Sequence, residues 1–364
     1  MNKFLLLKPD DIQDLVSMDE AIDAVEQGYI DGMNFPVINA PRRRVHSPAG
    51  VRISNFPGGS HSMGVIGAAS RADHVVQEDG GANQHYAYRE HPVHVLNDSE
   101  NGQLLAIVIG EPVERTLGYT SLVALRTAAT SGVGFRYLAR EDVTEVGLFG
   151  SGGQAANQLL ALKCVRPGIR RVRVYSRDPQ NRRAFAEKYG PKFNLEITPV
   201  ETGDDAIKGA DIVLCATSTN VELFDGDLLE PGQHVTGIIG GNVQLVEGGF
   251  LKKARREIDN RTVERSDVIV TNLRESVISE KQGDLYEPLE LGIIKEEDIL
   301  ELGPLASGVV EGRTGEGQIT YHKNNNGTAA SEIAIAMLVY KKAKEAGRGV
   351  EVDLVSASQL PHAL

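Results

Sequence analysis

Six residues constrain this chain more than any others: Gly150-Ser151-Gly152-Gly153-Gln154-Ala155, set directly after the apolar run Val146-Gly147-Leu148-Phe149 and before helical spacing that continues to Leu162. They read as G-x-G-x-x-A. The first glycine permits a tight turn, the second lets the backbone approach a pyrophosphate, and the small third position allows close helix–strand contact. N–H groups at the helix start then face the phosphates, aided by the helix dipole. Glycine-rich turns are common in βα units, so the strand–turn–helix context gives the motif its force. A nicotinamide dinucleotide is the expected ligand, and a bare structural turn is the competing reading.

The surroundings alternate in the same way. Val172-Arg173-Val174-Tyr175, Asp211–Ala216, His234–Ile239 and Val268-Ile269-Val270 read as further strands, with a polar helix from Asn181 to Tyr189. Strands alternating with helices of this length imply a Rossmann-type, doubly wound parallel sheet, expected over residues 136–315. Ahead of it come a helix at Met18–Val25 with acidic residues in its first turn, the alternating stretch Val51–Asn55, a hairpin joining Val93–Leu96 to Leu104–Ile109, and helical spacing from Ser121 to Leu138. A last amphipathic helix, Ala329 to Lys344, follows an Asn-rich loop. The layout predicted is α/β: the parallel sheet inserted in a discontinuous α+β domain of residues 1–135 plus 316–364.

The end of the second strand bears on the cofactor. An acid there would bind the 2′-hydroxyl of NAD, whereas an arginine accommodates the 2′-phosphate of NADP. Ser176 stands where the acid is expected, Arg177 follows, and the acid comes only at Asp178. That favours NADP over NAD, because a guanidinium pairs well with a phosphate; the alternative is an Arg177 that stacks on adenine or points to solvent. Ala216, Thr217 and Ser218, at the end of another strand, sit where a nicotinamide–ribose contact belongs in such a sheet, or else simply cap a loop.

With 38 Lys+Arg against 50 Asp+Glu the formal charge is −12, which argues against nucleic acid as a partner. No run approaches the roughly 20 apolar residues of a spanning helix, and the apolar start Phe4–Leu7 is cut off by Lys8 and Pro9. Cys164 and Cys215 each lie in apolar segments without metal or disulfide spacing. The expected setting is cytoplasmic, with no membrane partner and no metal.

At Ala124-Leu125-Arg126-Thr127-Ala128-Ala129-Thr130-Ser131 the sequence resembles the ornithine cyclodeaminase/mu-crystallin family. Pro41-Arg42, His46-Ser47-Pro48-Ala49-Gly50-Val51, the glycine turn, Gly240-Gly241-Asn242, Glu301-Leu302-Gly303 and Ile319-Thr320-Tyr321-His322-Lys323 follow in the family's order, so the resemblance covers nearly the whole chain. It implies a homodimer whose head and tail form the dimerisation and substrate domain. The implied chemistry is hydride exchange at the Cα of a small carboxylate-bearing amino or imino acid, by an imine reductase or amino-acid dehydrogenase. A cyclodeaminase that recycles NAD is the alternative, and a non-catalytic NADPH-dependent binder the reading from another class.

The resemblance also implies roles. Arg42 and Arg126 match the two carboxylate-clamp arginines, with Arg44 a fallback and a solvated basic loop the bland reading of Arg42–Arg44. Thr127 falls beside the cofactor, and Lys323 in a C-terminal loop either reaches the nicotinamide or the substrate or is an exposed lysine. Many relatives carry a Gly-x-Lys whose lysine reaches the substrate; here Ala69 stands in that register and Arg71, two residues on, supplies a cation on the same strand face. Asn242 holds the place of the cyclodeaminases' acid/base aspartate, and an amide exchanges no proton at useful pKa. The polar stretch Val75–His91 and the loop Gly110–Tyr119 are the expected seat of specificity, through His74, His85 or Glu114, or else a hydrated interface.

Overall fold

Extended segments, some alternating in burial as in β3 and some wholly apolar as in β7, build the N-terminal sheet. Its strands are β1 (Asn2–Leu7), β2 (Arg43–His46), β3 (Val51–Ser60), β4 (Val65–Glu78), β5 (Asn83–Arg89), β6 (Val93–Asp98) and β7 (Leu104–Ile109). The computed structural model describes residues 2–78, 83–111, 121–281, 283–324 and 329–354. β2, β3, β4, β6 and β7 pair antiparallel in that order, β5 pairs with β4, and β7 lies parallel to β1. In β3 the buried side chains are Arg52, Ser54, Phe56 and Ser60, while Val51 and Ile53 face outward. The inner face of this part of the sheet is polar.

Helices Met18–Asn34 and Ala329–Glu345 pack against this sheet and against each other, and the Leu122–Leu138 helix packs on both of them. The first begins with a capping box in which Ser17 accepts from the Glu20 N–H and Glu20 reaches back to the Ser17 N–H. Ile22, Val25, Leu125, Ala129, Val133, Ile333 and Ala336 fill the space between them.

The second sheet is wholly parallel. It contains β8 (Glu145–Phe149), β9 (Arg171–Tyr175), β10 (Glu196–Pro199), β11 (Ile212–Cys215), β12 (His234–Gly237), β13 (Val268–Thr271), β14 (Ile299–Glu301) and β15 (Thr320–Lys323), in the spatial order β10-β9-β8-β11-β12-β15-β13-β14. Helices Gly153–Val165 and Pro179–Phe193 follow β8 and β9, as in a doubly wound Rossmann fold. β16 (Val350–Leu354) then pairs antiparallel with β1, so the tail of the chain returns to the N-terminal sheet.

Three strands of the parallel sheet differ from the sequence expectation: β10, β14 and β15. β15 lies between β12 and β13 in the sheet's interior, beyond the boundary expected at 315. Its sequence Thr320-Tyr321-His322-Lys323 has no apolar run, yet all four residues are buried. Tertiary partners make that possible: Thr320 with His234 at 2.8 Å, His322 with Asn272 at 3.0 Å, and Lys323 with Asp284 at 2.5 Å.

Candidate active site

The strand order of the parallel sheet reverses between β8 and β11, and a cleft of about 1380 Å³ opens at their carboxyl ends. Ligands of open α/β sheets bind at such switch points. Gly150 has φ +110°, and a Cβ there would meet the Ala216 carbonyl oxygen at 2.3 Å, so only glycine fits the turn. Its N–H donates to the Tyr175 carbonyl at 2.8 Å, which ties the turn to β9. Gly152 caps the Gly153–Val165 helix without a side-chain bond, and a Cβ on it would meet nothing within 4 Å. Ala155, fully buried, keeps the helix close to the sheet. Bare N–H groups with room before them suit a pyrophosphate.

All the residues expected at the cofactor line this one cleft: Thr127, Gly150, Ser151, Gly152, Gly153, Gln154, Ser176, Arg177, Ala216, Thr217 and Ser218. At the β9 end Asp178 is occupied as a helix cap, its carboxylate accepting the Gln180 N–H at 2.8 Å. Arg177 and Lys188 line the cleft beside it.

The opposite end is made of guanidinium groups. Arg44, Ser54 and Arg71 sit in register across β2, β3 and β4, and Arg52, Asp73 and Arg89 across β3, β4 and β5, so the strand period turns them to one face. Asp73 is fully buried and meets Arg52 at 2.9 Å, Arg89 at 3.1 Å and Arg71 at 3.6 Å. Burial opposes its charge, but the three arginines hold its carboxyl far below the usual range. Arg126 comes from the Leu122–Leu138 helix and pairs with Glu332 at 2.8 Å, and Glu332 also bonds His94 at 3.0 Å. Against the effect of burial, Arg126 and His94 bring the Glu332 carboxyl down to about 2. Tyr86 completes this end: Arg89 stacks on its ring at 3.4 Å and Arg255 donates to its hydroxyl at 2.8 Å. Burial would raise the Tyr86 hydroxyl, but Arg255 and Arg89 lower it to about 7.

The profile of the ornithine cyclodeaminase/mu-crystallin family matches residues 2–347. The chain belongs to that family. An uncharacterized cyclodeaminase of Sinorhizobium fredii is 31% identical over 256 residues, 70% of this chain and 71% of its own. A Delta(1)-pyrroline-2-carboxylate reductase of Bacillus cereus is 28% identical over 260 residues, 71% of this chain and 73% of its own. The solved structure of the Thermococcus litoralis Delta(1)-pyrroline-2-carboxylate reductase with NADH and L-proline matches with a TM-score of 0.80 at 29% identity, covering 96% of this chain and 100% of that one.

Within this member of the ornithine cyclodeaminase/mu-crystallin family, Arg71 and Arg126 line the cleft, whereas Arg42, Asn242 and Lys323 are not among its described lining. Arg42 is buried and held by Glu280 at 2.5 Å; Arg44 meets the same carboxylate at 3.1 Å. These pairs tie the N-terminal sheet to the parallel-sheet domain. Asn242 is buried and its Oδ1 accepts the Arg255 N–H at 2.8 Å, which fixes the backbone at Arg255. Lys323 lies under the loop after β12, donating to the Ile239 carbonyl at 2.7 Å and paired with Asp284. The solvated reading does not describe Arg42 and Arg44, whose guanidinium groups are buried, although Arg43 between them is exposed, and an exposed lysine does not describe Lys323. Ala69 packs with Phe56 and Ala329. His85 lines the cleft, His74 lies on the opposite face of β4 from Asp73, and Glu114 falls outside the described residues.

Four residues that the sequence did not single out organise the site. Glu257 is buried and accepts from the Thr217 N–H and hydroxyl at 2.7 Å, and from the Ile238 and Ile239 N–H groups at 3.1 and 2.9 Å. It thereby shapes the loops after β11 and β12. Asp284 accepts from the Glu257 N–H at 3.0 Å. Glu332 and Asp73 do the same work for the arginines. No local pattern marks them, since their partners lie from 2 to more than 200 positions away in the chain.

Proposed function

We propose that the protein is an NAD(P)H-dependent oxidoreductase that reduces the imine of a 2-oxo acid, or oxidises the matching amino acid, by hydride transfer at Cα. The observation that carries this reading is a single cleft with a dinucleotide turn at one end and Arg71 and Arg126 at the other. A nicotinamide bound along the turn supplies or accepts the hydride. Gly150 to Gln154 receive its pyrophosphate, and Thr217 and Ser218 its nicotinamide ribose. Arg126 and Arg71 take the substrate carboxylate; their own carboxylates, Glu332 and Asp73, hold each guanidinium in place before substrate arrives. Arg42, Asn242 and Lys323 act as positioning residues through Glu280, Arg255 and the Ile239 loop.

NADP is favoured over NAD: Arg177 and Lys188 line the adenosine end, and Asp178 spends its carboxylate on a helix cap. Among the described lining residues the carboxylates are Asp178 and Glu222, and Glu222 faces Arg256 at 3.6 Å. Imine reduction is set ahead of the cyclodeaminase because Asn242, an amide that exchanges no proton at useful pKa, stands where the cyclodeaminases carry their acid/base aspartate.

A homodimer fits the outward face of the N-terminal sheet, where Val45, Val51, Ile53, Ile66 and Val95 stand exposed; light scattering should then read two monomer masses, and a single monomer mass would refute it. Among the described residues no helix is long and apolar enough to cross a membrane. Unbridged Cys164 and Cys215 suit a reducing compartment such as the cytoplasm.

The test is nicotinamide absorbance with NADPH and NADH against 2-oxo acids plus ammonia or methylamine, and against preformed cyclic imino acids. Consumption with one imine class, faster with NADPH, is expected. Cofactor binding without turnover on any member, with no ammonia from ornithine or lysine, would sink the enzyme reading.

A further inference from the structure

The arginines at the substrate end are not equally provided for. Arg71 and Arg89 share Asp73 with Arg52, and Arg126 has Glu332. Arg255 has no carboxylate within 4.0 Å among the described residues, although it is only 7% exposed and lines the cleft. Its Nη1 donates to the Tyr86 hydroxyl, while its Nε and Nη2 are buried without a hydrogen-bond partner among the described residues. Burying an unpaired guanidinium is costly, and such groups persist where a ligand completes them.

Everything around Arg255 holds that unfinished group still. Asn242 fixes its backbone N–H, and the Tyr86 ring lies against its guanidinium at 4.9 Å and against that of Arg89 at 3.4 Å. The mobile-looking long side chain is therefore anchored at both ends, and its ordering entropy is already spent on the protein's own contacts. Charge points the same way. Arg52, Arg71, Arg89, Arg126 and Arg255 face two buried carboxylates, Asp73 and Glu332. With the α-carboxylate of an ordinary amino acid bound, these groups among the described residues still sum to +2, or to +1 with Tyr86 ionised.

We propose that the substrate bears a second anionic group on its side chain, received by the open Nε–Nη2 edge of Arg255 next to Arg89, so that the substrate class is the 2-imino or 2-amino dicarboxylates. This rests on the reductase reading above, with Arg126 and Arg71 on the α-carboxylate. A planar carboxylate matches the two N–H groups of that edge side by side, which a hydroxyl or an amine does not. Asn242 thereby acquires a reason to be an amide: its Oδ1 serves the Arg255 backbone without bringing a charge that would compete for the guanidinium.

The experiment compares kcat/KM for oxaloacetate, 2-oxoglutarate and 2-oxoadipate, each with ammonia or methylamine, against pyruvate, 2-oxobutyrate and 2-oxopentanoate. At least one dicarboxylate should exceed its monocarboxylate counterpart by about 100-fold, the size of a charge-assisted pair. Arg255→Gln should collapse that ratio toward one, mainly through KM, and Arg255→Lys should keep part of it. A wild-type preference for monocarboxylates overturns the proposal. So does an Arg255→Gln variant that lowers both classes equally, for then Arg255 only latches Tyr86. Calorimetry of succinate, glutarate and butyrate on the NADPH-loaded protein gives the same ratio without turnover. Selective diacid binding, lost in Arg255→Gln, with no turnover on any oxo acid, would leave the proposal standing and count against the reductase reading; equal binding of diacid and monoacid would sink the proposal itself.

Discussion

The two ends of the cleft are built from different materials. At the phosphate end the working groups are backbone N–H donors, presented by a glycine turn and the start of a helix. At the substrate end they are side chains from four separate parts of the chain, and each guanidinium except that of Arg255 is held by a buried carboxylate, Asp73 or Glu332. A backbone-built site needs only a local conformation, and local conformation is what neighbouring residues dictate. A side-chain site needs register, packing and buried charge to agree, so a single change there propagates into both binding and stability.

That contrast is most easily broken at Arg126. Arg126→Met leaves Glu332 buried without its guanidinium and removes a carboxylate anchor, so kcat/KM should fall by about 10³-fold, roughly 4 kcal/mol. Thermal stability should fall as well. The double variant Arg126→Met/Glu332→Gln should recover stability but not activity, since it removes the orphaned charge and not the need for the anchor. Recovery of both would show that Arg126 serves only the fold.

Glu332 gives the contrast a pH dependence. Its carboxyl is lowered from the usual 4.5 to about 2 by Arg126 and His94 against the effect of burial. A depressed folded-state pKa gives stability that is present above pH 4.5 and lost as the pH falls through about 2. The contribution is on the order of 3 kcal/mol. Denaturant titrations across that acid window should show a shallower decline in Glu332→Gln than in the wild type; parallel curves would contradict the assignment.

At the phosphate end two glycines should separate folding from binding. Gly150→Ala puts a Cβ against the Ala216 carbonyl at 2.3 Å and strains a backbone at φ +110°, so both melting temperature and cofactor affinity should drop. Gly152→Val meets open space in the protein and intrudes only on the phosphates, so NADPH affinity should weaken by about 100-fold with the melting temperature little changed. Fluorescence titration and calorimetric melting read the two effects. If Gly152→Val binds NADPH normally, the pyrophosphate does not approach that position. The smallest effect belongs to Arg177: Arg177→Ala should reduce the NADPH-over-NADH preference by about tenfold, the worth of one exposed phosphate contact, and an unchanged ratio would move the 2′-phosphate elsewhere.

How much was legible follows the same division. β8, the glycine turn and the helix after it could be read directly, because an apolar run, two glycines and a small residue each act within a few positions. β15 could not: Thr320, His322 and Lys323 look like a surface loop until Thr320's partner His234, Asn272 and Asp284 are set beside them. In β3 the alternation was plain, but the buried side is the one with Arg52 and Ser54 and the exposed side the one with Val51 and Ile53. Arg42 and Arg126 both stood out as arginines. Glu280 and Glu332 decide how differently they are used, and neither is near its partner in the chain.

The sequence by itself therefore determined the parallel sheet, the dinucleotide turn at Gly150–Ala155 and the family. Each of these rests on residues close together in the chain, or on blocks whose order alone is informative. Only the tertiary structure decided which arginines face the cleft, which carboxylates hold them, and that Arg255 is left with an open edge. Those outcomes depend on strand register and on the cost of burying unmatched charge, and both are settled only when distant segments meet.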